Sequence, residues 1–140
     1  MEPQQLCDIL KTYAFFNPEV EYCQGMNFVA GLLLLYFKDE SVAFKAMQKI
    51  IEVFDMGSLF NDDLHKLKLS FYIFDRLLSI RMPRLHAHFQ QEQINSSYFS
   101  APWFITLFAN SLQLQASGEI DEAQLQLWDY FLVVSCFIYF

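Results

Sequence analysis

No stretch of this 140-residue chain approaches the ~20 consecutive apolar residues that a membrane-spanning helix needs. The longest apolar runs are Phe28–Phe37 and Tyr130–Phe140, the second interrupted by Ser135, and both read as buried core helices. Glycine and proline are scarce, four of each, which is too few for a β-sandwich with a turn every ten residues or so. Cysteine is also scarce. Cys7, Cys23 and Cys136 are odd in number, far apart and form no C-x-x-C pair, so neither a zinc knuckle nor a disulfide framework is indicated. Three buried, reduced thiols in a cytoplasmic protein are expected instead. Cations are few: 9 Lys plus Arg stand against 16 Asp plus Glu, for a net charge of −7. A polyphosphate partner needs a basic field, so nucleic-acid binding is not expected. The opening segment, MEPQQLCDIL, has neither a basic nor an apolar signal-peptide region and is not read as one.

What the chain has in abundance is aromatic and aliphatic surface. Sixteen Phe, seven Tyr and two Trp within a 54% hydrophobic composition exclude a disordered chain. The length suits one domain, residues 1–140, burying roughly 68–70% of its extended surface. The charge is uneven. Residues 85–140 contain no Lys or Arg and five acids, and all three arginines fall at Arg76, Arg81 and Arg84.

The periodicity is helical throughout. A first helix is predicted over Pro3–Phe15, ending before Asn17-Pro18 because a residue preceding proline leaves the α region. A second runs from Gln24 to Phe37 and is apolar on every side, as befits a central helix. A third covers Ser41–Phe54, with Ala43, Met47, Ile50 and Phe54 on one face and Gly57 at its C-terminal end. A fourth covers Asp62–Met82, capped by Asn61, with Leu64, Leu67, Phe71, Phe74 and Leu78 as its stripe. Pro83 opens a fifth over Arg84–Gln93, and Asn95–Ser100 reads as a connection. A sixth starts near Ala101-Pro102, Ala116–Glu119 is a loop, and a seventh runs from Asp121 onward. The chain stops at Phe140 inside an apolar helix, which suggests that further sequence completes the core.

Most candidate chemistry has a bland explanation. His86 and His88 sit about 200° apart on a helix and cannot share a metal ion, so no metal site is expected. There is no G-x-S-x-G elbow and no phosphate-binding G-x-x-x-x-G-K-[ST] loop. Asp62-Asp63 and Glu119, Asp121, Glu122 suit helix N-termini. Phe99, Trp103, Phe104 and Phe108 suit a core. The segment Asn17-Pro-Glu-Val-Glu-Tyr-Cys-Gln-Gly-Met26 is less ordinary. It sets polar Gln24 and Gly25 at the head of the most hydrophobic helix. Gln24 carries both a donor and an acceptor, the equipment for positioning a water, and Gly25 lets a backbone or a phosphate approach closely. On these residues alone, a structural helix-start Gln is the favoured reading.

The run from Asn17 to Tyr36 resembles the second signature motif of TBC domains, the GTPase-activating domains for Rab GTPases. Phe71-Tyr-Ile-Phe74, Pro83-Arg-Leu-His-Ala-His-Phe89, Ser100-Ala-Pro-Trp-Phe-Ile-Thr-Leu-Phe-Ala109 and Leu127-Trp-Asp-Tyr-Phe131 follow in the family's order. The resemblance implies an all-α, multi-helix TBC-type fold, here a partial domain cut short on its N-terminal side and at its C-terminal end. It also implies a dual-finger mechanism, in which an arginine from I-x-x-D-x-x-R and a glutamine from Y-x-Q enter the partner's active site. Gln24 matches the glutamine finger and Tyr22 the motif's tyrosine. Cys23, Gly25, Met26, Asn27, Trp103 and Phe104 match motif positions that support the finger or bind the GTPase. The implied partner is a GTP-bound Rab-type GTPase that brings its own Mg²⁺. No cofactor of the chain's own is implied, and its place is the cytoplasm, peripheral to endomembranes through the partner.

One departure from the pattern matters most. The arginine motif precedes Y-x-Q in the family, yet no Arg precedes Arg76 here, and none of the three arginines has an Asp three residues before it. Lys11 is no substitute, because an ammonium lacks the planar fork. Smaller departures are Glu21, Gln126 and Val134-Ser135. Weak or absent activation is therefore expected of this polypeptide. A non-catalytic Rab- or protein-binding module is the alternative, and a fragment that does not fold alone is a third reading.

Overall fold

The structure is a computed structural model that describes residues 2–18, 20, 22–53, 55–60, 64–112, 121–126 and 128. Among these, seven α-helices form: α1 Pro3–Phe16, α2 Met26–Phe37, α3 Glu40–Val53, α4 Gly57–Phe60, α5 His65–Arg81, α6 Pro83–Gln91 and α7 Ser97–Ile105. A 3-10 turn follows at Ala109–Ser111. Residues 122–126 and 128 are helical as well, and no strand occurs among the described residues. The expected all-α class holds.

Local chemistry accounts for the boundaries. At α1, Pro3 takes the first helical position and the Glu2 N–H donates to Gln5 Oε1 at 2.9 Å. Asn17 closes the helix through its N–H to the Tyr13 carbonyl, just before Pro18. Asp39 caps α3 by accepting the Val42 N–H on Oδ1 at 2.9 Å, which starts that helix one residue earlier than its periodicity suggests. Gly57 does not end α3. Asp55 takes the left-handed conformation (φ 46°), the Met56 N–H reaches back to the Ile51 carbonyl, and Gly57 opens α4. An Asp can hold that conformation because its short carboxylate bonds locally, here accepting the Ser58 hydroxyl at 2.9 Å. Pro83 divides α5 from α6 as expected. The segment expected to connect into the sixth helix is instead its first turn. Asn95 Oδ1 accepts the Ser97 N–H at 2.9 Å, so α7 begins four residues before Ala101 and carries Pro102 inside it. The proposed Asn61 cap, the loop at 116–119 and the apolar run from 130 to 140 lie outside the described residues.

α2 is central. It packs against α1, α3 and the 3-10 turn, and Met26, Val29, Ala30, Gly31, Leu32, Leu33 and Leu34 are all buried. The burial is not all-round as its composition suggests: Phe28, Tyr36 and Phe37 on the same helix are exposed, so its neighbours enclose chiefly the stretch from Val29 to Leu34. α3 contributes Ala43, Met47 and Ile51, and α1 contributes Ile9 and Tyr13. α5 packs against α6 and α7, and its inward stripe starts at Leu67, because Leu64 is exposed. A second, aromatic layer joins these helices. Phe74 sits edge-on to Phe99, Trp103 and Phe104 at 5.9–6.3 Å between ring centroids, and Phe89 reaches Phe99 at 5.5 Å. Such edge-to-face contacts add ~0.5–1.5 kcal/mol each beyond burial.

Asp55 also joins the end of α3 to α5, with Oδ2 3.0 Å from Lys66 Nζ. Partial burial pushes its carboxyl up, but the Ser58 hydroxyl and the Lys66 ammonium outweigh this and hold it below the ordinary carboxylate range. A folded-state value below the unfolded one stabilises the fold above the unfolded pKa of about 3.9 and loses that contribution as pH falls through the lowered value. Asp55→Asn should therefore flatten the acid limb of a stability–pH curve measured by urea melts, and should also lower stability at pH 7, because it takes a carboxylate away from Lys66, whose side chain is only 17% exposed.

Candidate functional site

The polar segment before α2 is a four-residue turn. The Met26 N–H donates to the Cys23 carbonyl at 3.1 Å, leaving Gln24 and Gly25 at the two central positions. Gly25 has φ 117° and ψ −27°, the positive φ that a type II turn requires at its third residue. The helix consequently starts at Met26, two residues later than its apolar pattern suggests. Gln24 stands on the turn rather than in the helix, and its side chain is exposed.

The turn is seated on the end of α7. A Cβ at Gly25 would lie 2.5 Å from Ile105 Cγ2 and 3.4 Å from Thr106 Cγ2. The missing side chain thus admits the helix that carries Trp103 and Phe104; the close neighbour is Ile105 rather than a phosphate. Met26 anchors the other side of the turn, 2% exposed in the core. Tyr22 is exposed, and its hydroxyl lies 3.4 Å from Asn27 Oδ1 across the turn. Cys23 is half-buried. Burial pushes its thiol up, partly offset by the Gln24 backbone N–H, which makes it a poor nucleophile at neutral pH. Cys7 is half-buried too, so the two described thiols are less enclosed than expected, and both are free.

The seat is itself a strained corner. Leu107 (φ 49°) and Phe108 (φ 64°) are consecutive left-handed residues, and neither is glycine. Each such residue costs about 1–3 kcal/mol and persists only when its surroundings hold it. Here the Phe108 N–H donates to the Trp103 carbonyl at 2.7 Å, and the Trp128 indole N–H donates to the Leu107 carbonyl at 2.8 Å. The Thr106 hydroxyl, 3% exposed as a residue, donates to the Pro102 carbonyl at 2.7 Å. It also lies 2.9 Å from Asn110 Oδ1 and accepts the Asn110 N–H. Thr106→Val keeps the shape but leaves these partners without the hydroxyl, and should lower stability by about 1–3 kcal/mol in a urea melt with an unchanged slope.

The sequence-derived candidates therefore divide. Tyr22, Gln24 and Asn27 gather at the exposed turn, and Gly25 and Met26 fix its backbone. Trp103 stacks on Phe108 at 5.7 Å, and Phe104 is buried against Phe71 and Phe74; both build the aromatic layer under the seat. His86 Nε2 faces Asp75 at 3.3 Å while His88 is exposed on α6. Among the described residues no group of three or more His, Cys, Asp or Glu could hold a metal. Sequence reasoning missed Ile105 and Thr106 as the seat. The only signal was a Thr within an otherwise apolar run, which gives no hint of which turn it meets.

The family model for the Rab-GTPase-TBC domain matches residues 2–140. The GTPase-activating protein GYP5 of Eremothecium gossypii is 39% identical over 111 residues, covering 79% of this chain and 13% of that protein. TBC1 domain family member 1 of Homo sapiens is 40% identical over 111 residues, covering 78% of this chain and 9% of its own length. The Ecotropic viral integration site 5 ortholog of Drosophila melanogaster is 32% identical over 117 residues, covering 84% and 14%. The chain thus spans about a tenth of the length of these relatives. With the match extending over the Cys23–Met26 turn, its seat and the aromatic layer beneath, the chain belongs to the Rab-GTPase-TBC domain family.

Proposed function

We propose that residues 1–140 act as one TBC unit that engages a GTP-bound Rab-type GTPase and offers Gln24 to its active site. The observation that carries this reading is Gln24 itself: an exposed carboxamide on a turn whose neighbouring glycine is packed closely against Ile105 and Thr106 at the end of α7. A preorganised carboxamide can orient the attacking water while contributing no charge, which is half of what phosphoryl transfer to water requires. Tyr22 and Asn27 flank it and limit the turn's freedom. The Mg²⁺ and the phosphates belong to the partner. The setting that follows is the cytoplasmic face of endomembranes, reached through that partner; among the described residues no helix is long and apolar enough to cross a membrane.

The second reading is a binding module without turnover, in which Tyr22 and Gln24 on the exposed turn contact a GTPase without acting on its chemistry. Single-turnover GTP hydrolysis by a panel of Rab-type GTPases, run beside a binding assay, separates the two. The first reading expects a small stimulation that disappears in Gln24→Ala while binding persists. The second expects binding with no stimulation, unaltered by Gln24→Ala. Failure to bind any GTPase in the panel would reject both.

A further inference from the structure

Residues 76–91 contain all three arginines and no acid, a local charge of +3 in a chain of −7, which leaves −10 on the rest. Arg76 and Arg81 lie on α5, and Arg84 follows on α6 across the Pro83 corner; all three are exposed. None of the three forms an ion pair among the described residues, whereas Lys49 and Lys66 each hold a carboxylate. The nearest acid in sequence, Asp75, is engaged with His86 between the two helices, and the next, Glu92, lies beyond the end of α6. Interleaved with the arginines are Leu77, Ile80 and Met82, exposed by 43%, 64% and 52%. On α5 the inward positions are held by Leu67, Phe74 and Leu78.

We propose that this α5–α6 corner is a contact surface for an anionic lipid bilayer. Guanidinium groups pair with lipid phosphates in a planar, bidentate manner and remain charged at every physiological pH. Exposed aliphatic side chains at a helix corner can reach the acyl boundary just below the headgroups, as amphipathic interfacial segments do. A rigid acidic protein surface would satisfy the arginines but would leave Ile80 and Met82 against polar groups, whereas a bilayer interface accepts both. The −10 elsewhere is repelled by an anionic surface, so the chain docks by this corner alone. That repulsion is screened beyond about 8 Å at physiological salt. The proposal does not depend on Gln24 or on any GTPase.

The test is co-sedimentation of the full chain with phosphatidylcholine vesicles and with mixed phosphatidylcholine–phosphatidylserine vesicles. Binding is expected to the mixed vesicles only, and to weaken as salt rises. Each of Arg76→Gln, Arg81→Gln and Arg84→Gln should lower the partition about fivefold. Ile80→Ser combined with Met82→Ser should lower it at unchanged charge. Circular dichroism checks that each variant stays helical; if a combined variant unfolds, the single arginine variants decide. Three results overturn the proposal: no binding to the mixed vesicles, binding indifferent to the arginines, or binding matched by soluble poly-glutamate and indifferent to Ile80 and Met82. The last would mark the corner as a contact for an acidic protein.

Discussion

Fused behind a segment carrying I-x-x-D-x-x-R, this chain is expected to accelerate GTP hydrolysis by a responsive Rab-type GTPase about 10³–10⁵-fold more than it does alone. The chain supplies a neutral carboxamide at Gln24 and no arginine before Arg76. Orienting water places the nucleophile, but negative charge still builds on the phosphate oxygens and the leaving group. Only a cation aimed at those atoms, in a site closed to water, removes that part of the barrier, roughly 4–7 kcal/mol. Arg76, Arg81 and Arg84 sit on α5 and α6 around the Pro83 corner, away from the turn's own sequence neighbourhood. Changing the finger of the fused segment to Lys should forfeit most of the gain, because a point-charge ammonium does not reproduce the guanidinium fork. Adding Gln24→Ala to the fusion should also reduce it. The measurement is single-turnover hydrolysis at saturating activator. A fusion no faster than the chain alone would reject the dual-finger reading, as would a chain that is already fully active without an arginine.

Gly25→Ala should be among the most damaging small substitutions available, lowering stability by about 2–4 kcal/mol. Two effects act together. An L-residue is strained at φ 117°, and the added methyl would lie 2.5 Å from Ile105 Cγ2. Ile105 is β-branched, so that methyl group cannot swing aside without changing its rotamer. Relief requires the turn to rise off α7, which carries Gln24 with it. Gln24-dependent stimulation in the arginine-bearing fusion should therefore fall even at temperatures where the variant remains folded. Combining Gly25→Ala with Ile105→Ala separates the two contributions, because it removes the clash and leaves the strain. The double variant should recover part of the loss attributed to the clash, offset by whatever burial Ile105 contributes. An unfolding free energy from urea melts within about 0.5 kcal/mol of the parent for the single variant would show that the turn is not seated as described.

The sequence carried a great deal of this. Helix class follows from period, and α1, α5 and α6 lie within a few residues of where apolar spacing and proline put them. The α2 body was legible because a run of ten apolar residues favours a central place, although its ends at Phe28, Tyr36 and Phe37 are exposed. Boundaries set by a single polar side chain were less legible. Asp39 and Asn95 each accept a backbone N–H and start α3 and α7 earlier than the hydrophobic pattern does. The left-handed Asp55 ended α3, where glycine was the obvious candidate. In each case a local hydrogen bond competes with periodicity, and sequence spacing does not show which one prevails.

For the site, the identities of Tyr22, Gln24 and Gly25 were fixed by the chain itself, as was the lack of a nearby arginine. Those facts name the groups that stand at the turn: a carboxamide beside a phenol and a glycine. What tertiary structure decided is where that carboxamide can be. Gly25 meets Ile105 and Thr106, eighty residues away in the chain, and the corner beneath them holds two left-handed residues through Trp103 and Trp128. Backbone freedom at a glycine is a local property, readable from one residue. The contact that uses this freedom is a packing event between distant helices, and it exists only once α2 and α7 share a core.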